Sequence, residues 1–251
     1  MAREFASALD PGRSRRNNED AVAVDAVAGL AVLADGMGGH NAGEVASAMA
    51  CAIICQDLVR WRRAWPEATS QAAALQAMAR GVAHANQAIL NTALTRPECR
   101  GMGTTVVVAL MAGDAMLVGH VGDSRAYRFG RDGLERLTRD HSLLQEQVDA
   151  GLLTPRQAAT APQRNIVTRA VGVEAGVQLD TLALQTQPGD IVLLCSDGLT
   201  DMLGDEEIAA ILATGGSLQG LCAHLIDAAN AAGGADNVSV VLTRDDGDPL
   251  T

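Results

Sequence analysis

The stretch from Gly29 to Glu44, G-L-A-V-L-A-D-G-M-G-G-H-N-A-G-E, decides how the rest of the chain is read. Leu30, Ala31, Val32, Leu33 and Ala34 form a short, continuous apolar run bounded by glycine, the pattern of a strand buried on both faces. The run ends in Asp35, and Gly36, Gly38, Gly39 and Gly43 follow before the pattern turns helical at Glu44. A carboxylate is thereby expected at a strand tip, ahead of a backbone almost free of side chains. Such an arrangement brings a charge and bare peptide groups up to an ion or a phosphate.

Working outward, Ala21 to Asp25 alternates as a second strand and Ala26 to Gly29 turns. Hairpin geometry then places Asp20 and Asp35 at the same end of two antiparallel neighbours. Upstream, Glu4 to Leu9 alternates weakly as a first strand, and the polar run R-S-R-R-N-N-E-D follows from Arg13 to Asp20. Downstream, Val45, Met49, Ala52, Ile53, Leu58 and Trp61 predict a helix over Glu44 to Arg63, ended by Pro66; a second helix fits Thr69 to Leu94. Strands are predicted at Thr104–Met111, Ala115–Val121, Ser124–Phe129 and Leu134–Leu137, separated by Gly-Asp and Asp-Gly turns. Short helices at His141–Gly151 and Thr154–Ala161, then Ile166–Val171, interrupt the strands without a strong core pattern and read as a flap spanning about 141–172. Strands at Val177–Leu184 and Ile191–Cys195, helices at Asp205–Leu212 and Leu218–Ala232, and a last strand at Val238–Thr243 complete the order, with a tail expected to fray. This order favours antiparallel sheets covered by helices over an alternating parallel fold. No repeat or long linker divides the chain, so one domain over 1–251 is expected.

Composition narrows the chemistry. Apolar residues make up 48% of the 251 and charged residues 20%, a globular composition with a sizeable core. Aromatics are only 2%, which argues against base-stacking platforms, and a net charge of −11 argues against nucleic-acid or anionic-membrane partners. The chain has no lysine, which excludes a P-loop lysine, a Schiff base and a Ser-Lys dyad. Five cysteines without a CxxC pair read as reduced thiols of a cytoplasmic protein. The first residues lack a signal-peptide core, and no run reaches ~18 uninterrupted apolar residues.

Carboxylates collect at strand ends beside glycine or asparagine: Asn18-Glu19-Asp20, Asp35-Gly36, Gly122-Asp123-Ser124, Asp197-Gly198 and Asp236-Asn237. Any one Asp-Gly pair reads as a turn. Five together, after runs such as V-L-L-C-S-D-G, do not, because unpaired carboxylates gathered at one sheet end would repel. A divalent cation removes the conflict, and an oxygen-only ligand set points to Mg²⁺ or Mn²⁺. Two such ions ~3.5–4 Å apart can share a carboxylate and aim a water at phosphorus.

The runs R-R-N-N-E-D, A-D-G-M-G-G-H-N-A-G-E, G-D-S-R, L-C-S-D-G-L and A-D-N-V-S occur in the order found in bacterial metal-dependent protein phosphatases of the phosphatase 2C-like (PPM) family, which this chain resembles over nearly its whole length. The resemblance implies an α+β, four-layer α-β-β-α sandwich of two antiparallel sheets flanked by helices, and hydrolysis of phosphoserine and phosphothreonine. It implies that Asp35 bridges two Mn or Mg ions with the Gly36 carbonyl, that Asp197 and Asp236 complete the ligands of the first, and that Glu19 and Asp20 act through water. Asp123 resembles the ligand of a third, weaker ion seen in some members, and Arg15 the arginine that clamps phosphate; a guanidinium suits that dianion because it donates two parallel hydrogen bonds. The implied partners are a bacterial Ser/Thr kinase and its phosphorylated substrates.

The sequence departs from the family in two places. Many eukaryotic relatives carry a histidine, proposed as general acid, where this chain has Met37, which leaves metal-bound water or His40 to protonate the leaving group. In the flap, close bacterial relatives often read H-P-Q-R-N, and Ala161 stands here in place of that histidine. His84, His120, His141 and His224 read as structural. Two other functions fit the sequence less well. A dinucleotide site fails because Asn41 stands where G-x-G-x-x-G from Gly36 needs glycine. A non-catalytic pseudophosphatase that regulates a kinase would have no use for both Arg15 and the full carboxylate set.

Overall fold

The computed structural model describes residues 3–39, 42–65, 70–158, 161 and 166–245. Pro66, Thr69, His40, Asn41, the P-Q-R-N run at 162–165 and the tail from 246 lie outside them. The strands are β1 (Arg3–Asp10), β2 (Asp20–Asp25), β3 (Leu30–Met37), β4 (Gly103–Thr104), β5 (Val106–Ala112), β6 (Ala115–Val121), β7 (Arg125–Gly130), β8 (Gly133–Arg136), β9 (Asp180–Gln185), β10 (Ile191–Cys195) and β11 (Val238–Asp245). The helices are α1 (Ala42–Ala64), α2 (Gln71–Thr95), α3 (Leu143–Asp149), α4 (Pro155–Ala158), α5 (Asp197–Thr200), α6 (Asp205–Ala213) and α7 (Leu218–Ala231).

The strands form two antiparallel sheets, ordered β1-β11-β10-β7-β8 and β2-β3-β5-β6-β9, with β4 attached to β3. The opening apolar run explains the layering. Leu30, Val32 and Ala34 pack with Ile54, Leu58, Met78 and Val82 beneath α1 and α2. Ala31 and Leu33, on the other face, meet Val192, Leu194 and Val241 of the second sheet. That second sheet is covered in turn by Leu199, Ile208, Leu221 and Leu225 of α5, α6 and α7. A strand buried on both faces is thus a strand inside a helix–sheet–sheet–helix sandwich, as the resemblance implied. At about 25 cal/mol per Å², these aliphatic contacts supply the main driving force for closing the layers.

Local chemistry sets the ends. Ser70 Oγ accepts from the Ala73 N–H at the start of α2, and Arg96 turns extended ahead of Pro97 to stop it. By length and composition α1 could cross a membrane, yet 44% of its apolar window is buried inside the protein, on the β3 face.

Several boundaries differ from expectation. β3 runs on through Asp35 to Met37, because Gly36 pairs with Thr104 and Met37 with Gly103. Asp35 is therefore inside a strand rather than at its tip, and Thr104 belongs to that short pair instead of β5. The strand expected at Val177 begins at Asp180; Val177 and Leu179 pack onto the helix-side core instead, and Leu179 fills space over Gly119. Asp197 opens helix α5 directly after β10 with Ser196 at the cap position, where an Asp-Gly turn was expected. In the flap α3 is shorter than expected, and Ile166–Val171 contributes isolated bridges, Ser142 to Val167 and Thr104 to Val171.

Candidate metal centre

The hairpin register puts Asp20 directly opposite Asp35. Asp123 follows β6, Asp197 follows β10, and Asp236 precedes β11, so both sheets deliver carboxylates to one end of the sandwich. There a cleft of about 220 Å³ is lined by Arg15, Glu19, Asp35, Asp123, Asp197 and Asp236, together with Gly36 and Met37. Asp20 lies behind it, 8% exposed. Every sequence-predicted residue within the described part is thus at or against one cleft; His40 lies outside the described residues.

The glycines have a particular use. A Cβ on Gly36 would overlap the Gly43 carbonyl, and one on Gly43 would come within 2.5 Å of Glu19 Oε2. Bare backbone lets β3 and the start of α1 pass this closely, with Glu19 seated between them. The Gly36 N–H donates to the Glu19 carbonyl at 3.1 Å, and Ser47 Oγ donates to the same carbonyl at 2.5 Å.

Uncharged side chains that the sequence reading missed hold the frame. Asn237 Nδ2 donates to the carbonyls of Pro11 and Asn17 at 3.0 and 2.8 Å, while its Oδ1 accepts from the Glu19 N–H at 2.8 Å. One amide thereby fastens the arginine-bearing loop to the strand behind Asp236. Thr105 Oγ1 accepts from the Asp35 N–H at 3.0 Å and shares a 2.7 Å hydrogen bond with Ser124 Oγ. Ser239 Oγ donates to Asp20 Oδ2 at 2.6 Å. Asn237, Ser124 and Ser239 lie in or next to the acidic motifs, whereas Thr105 carries no such signal in the sequence.

The electrostatics ask for a cation. Burial, only partly offset by the Ser239 and Ser196 hydroxyls, pushes Asp20 up to about 6. Desolvation and the charges of Asp20, Asp197 and Asp123 raise Asp35 well above the usual carboxylate range. Asp197 is raised in the same way, by desolvation and then by Asp123, Asp201 and Asp236. Asp123 is pushed to about 6 by burial and the nearby Asp140. Asp20 Oδ1 is fully buried with no hydrogen-bond partner among the described residues. Leaving such charges uncompensated costs about 3–5 kcal/mol. Arg15 is the positive group at the rim: its Nη2 lies 2.7 Å from Asp236 Oδ2, its side chain is 54% exposed, and Asp236 raises its pKa.

An oxygen-only donor set that repels itself, with an orphaned carboxylate oxygen behind it, fits hard divalent ions such as Mg²⁺ or Mn²⁺. Among the described residues no three acidic, histidine or cysteine side chains close on one point; the carboxylates line a wall instead.

The profile of the protein phosphatase 2C family matches residues 12–240. The chain belongs to the protein phosphatase 2C family. Among its relatives, the serine/threonine phosphatase stp of Listeria innocua is 38% identical over 241 residues, covering 94% of this chain and 93% of that protein. The crystal structure of the Mycobacterium tuberculosis serine/threonine phosphatase PstP/Ppp matches with a TM-score of 0.88 and 35% identity, covering 97% of this chain and 99% of that one. The catalytic domain of PstP in complex with two manganese ions matches with a TM-score of 0.84 and 34% identity, over 96% of this chain and 97% of that one. In this phosphatase 2C fold, Met37 lines the cleft wall and has no proton to donate. The five acidic motifs singled out in the sequence all reach this cleft or its floor.

Proposed function

We propose how this chain, by family a metal-dependent protein serine/threonine phosphatase, uses its cleft to hydrolyse phosphoserine and phosphothreonine. The observation that carries the reading is the convergence of Asp35, Asp123, Asp197 and Asp236 on one cleft whose rim arginine faces a carboxylate. We assign Asp35, the Gly36 carbonyl, Asp197 and Asp236 to two divalent ions, Glu19 and Asp20 to water-mediated support, and Asp123 to a third, weaker ion. When bound, such ions neutralise the cleft and lower the pKa of a water so that it can attack phosphorus.

The chain's own residues then have distinct tasks. Arg15 sits exposed at the mouth and can present two parallel donors to a phosphate dianion once it leaves Asp236. Thr105 and Asn237 fix the backbone from which Asp35 and Glu19 project. Ser239 and Ser196 hold Asp20 against the cleft floor. His40 is our candidate in the chain for protonating the serine or threonine oxygen that leaves, since Met37 cannot. No side chain is assigned as a nucleophile: the buried cysteines Cys51 and Cys195 are pushed up by burial and stay as thiols.

We read the chain as a single catalytic domain carrying a flap over about 141–172. Its five cysteines are all free, which suits a reducing compartment, and we place it in the cytoplasm. A Ser/Thr kinase and that kinase's substrates are the proposed partners. The pseudophosphatase reading is not favoured, because the acidic set and Arg15 are kept together at one site. Release of inorganic phosphate from a phosphothreonine peptide, with Mn²⁺ titrated into chelator-treated protein, tests the proposal. Mn²⁺-dependent release supports it; binding of Mn²⁺ without any turnover would revive the regulator.

A further inference from the structure

The turn after β6 brings Asp123 to the cleft, and one histidine from the edge of the flap grips it. Gly122 there has φ +102, a conformation that glycine adopts without strain, and a Cβ would come within 2.6 Å of Thr105 Cγ2. The Gly122 N–H donates to Nδ1 of His141 at 3.0 Å, and the His141 N–H donates back to the Gly122 carbonyl at 3.0 Å. A backbone N–H can only donate, so Nδ1 carries the lone pair and the ring proton sits on Nε2.

The far side of the ring is set up to keep it that way. Nε2 lies 3.2 Å from Asp180 Oδ2, and Asp180 Oδ1 accepts from Arg169 Nη1 at 2.7 Å. His120, opposite Asp180 in the β6–β9 register, stacks on the ring with centroids 4.6 Å apart. His120 is itself tied through Nε2 to the Arg139 carbonyl at 2.8 Å. The His141 carbonyl accepts from the Thr168 N–H at 2.9 Å, and its neighbour Ser142 bridges to Val167, which lines the cleft. One residue thus joins the Asp123 turn to the returning segment of the flap at Val167 and Thr168.

We propose that His141 is a positioning residue for Asp123. Its Nδ1 lone pair fixes the Gly122–Asp123 turn, Asp180 and Arg169 fix its tautomer, and it touches neither substrate nor phosphate. Without that acceptor, a buried N–H would seek another partner and the turn would carry the Asp123 carboxylate with it. The inference rests on the reading of Asp123 as a carboxylate for the weakest of the bound ions.

Two substitutions in the full chain separate this role from simple packing. In His141→Asn the amide oxygen takes the place of Nδ1 and still accepts from Gly122. In His141→Gln the amide reaches toward Asp180 and leaves Gly122 without its acceptor. The readouts are calorimetric Mn²⁺ binding, the half-saturating Mn²⁺ for p-nitrophenyl phosphate hydrolysis, and Tm. We expect both His141→Gln and Asp123→Asn to weaken the weakest Mn²⁺ step and raise half-saturation about tenfold, leaving the tighter binding unchanged. His141→Asn should stay within about twofold of wild type, although both histidine variants lose similar Tm. Equal Mn²⁺ effects in the two, or none in either, would overturn the inference. A wild type without Mn²⁺-dependent hydrolysis would instead overturn the phosphatase reading on which it rests.

Discussion

Asp140 and Asp35 are both carboxylates drawn out of solvent, and the fold satisfies them in opposite ways. Asp140 receives the fork of Arg125, with Nε at 3.1 Å and Nη2 at 2.8 Å from its two oxygens, and Arg136 donates to it as well. Asp35 stands among Asp20, Asp123 and Asp197, whose charges all raise its pKa, and among the described residues no arginine forks onto it. The chain is therefore able to neutralise a sheltered carboxylate with arginine, and does so close to the cleft. At the cleft it leaves the negative charge to something that comes from outside. On the proposed reading one region is complete as folded and the other is completed by cations, which separates a structural acidic cluster from a functional one.

The largest effect should come from breaking the second region at its centre. Asp35→Asn is expected to lower Mn²⁺-dependent kcat/KM by at least about 10³-fold, without lowering the Tm of the chelator-treated protein, because a repelled charge has been removed. Steady-state kinetics on a phosphopeptide and a thermal melt in chelator check the two halves. The corresponding change in the first region should do the reverse. Asp140→Asn strands two guanidinium groups and is expected to cost about 3 kcal/mol of stability in denaturant melts, with half-saturating Mn²⁺ close to wild type. If instead Asp140→Asn altered metal dependence as strongly as Asp35→Asn, the distinction between the regions would fail.

Arg15 lies on the border between them, a cation already on a cleft carboxylate. Arg15→Ala should raise KM for phosphate esters about tenfold or more, with Mn²⁺ affinity unchanged or tighter, since Asp236 loses a competitor. The smallest effect sharpens the contrast through pH. Asp20 and Asp123 sit near 6 in the folded chain against 3.8 when unperturbed. The folded state therefore holds these protons more tightly than the unfolded one across that window, so the contribution of these two groups to metal-free stability is greatest below 3.8 and is lost as pH climbs through 6. A Tm lower by about 5 °C at pH 7 than at pH 5 in chelator, and restored by Mn²⁺, is the expected outcome.

Much of this was open to reading from the chain. The continuous run Leu30–Ala34 implied burial on both faces, and the hairpin arithmetic brought Asp20 opposite Asp35. The acidic motifs announced themselves because a charge beside an apolar strand needs a reason. What stayed hidden were groups without charge. Asn237, Thr105 and Ser239 act through hydrogen bonds across as many as 226 residues of sequence, a separation at which no local pattern survives. Asp197 read as a turn because an Asp-Gly pair looks alike whether a loop or a helix follows. His141 read as structural, and its grip on Gly122 is visible only once β6 and the flap are brought together.

The central claim, that the cleft carboxylates are unsatisfied until cations arrive, is tested most directly by calorimetric titration of Mn²⁺ into chelator-treated wild type and Asp35→Asn at pH 7.5. Two tightly bound ions per chain in the wild type, ahead of the weaker third, and loss of that tight binding in Asp35→Asn, are expected. A flat wild-type titration, or a variant that still takes up both ions, would contradict it.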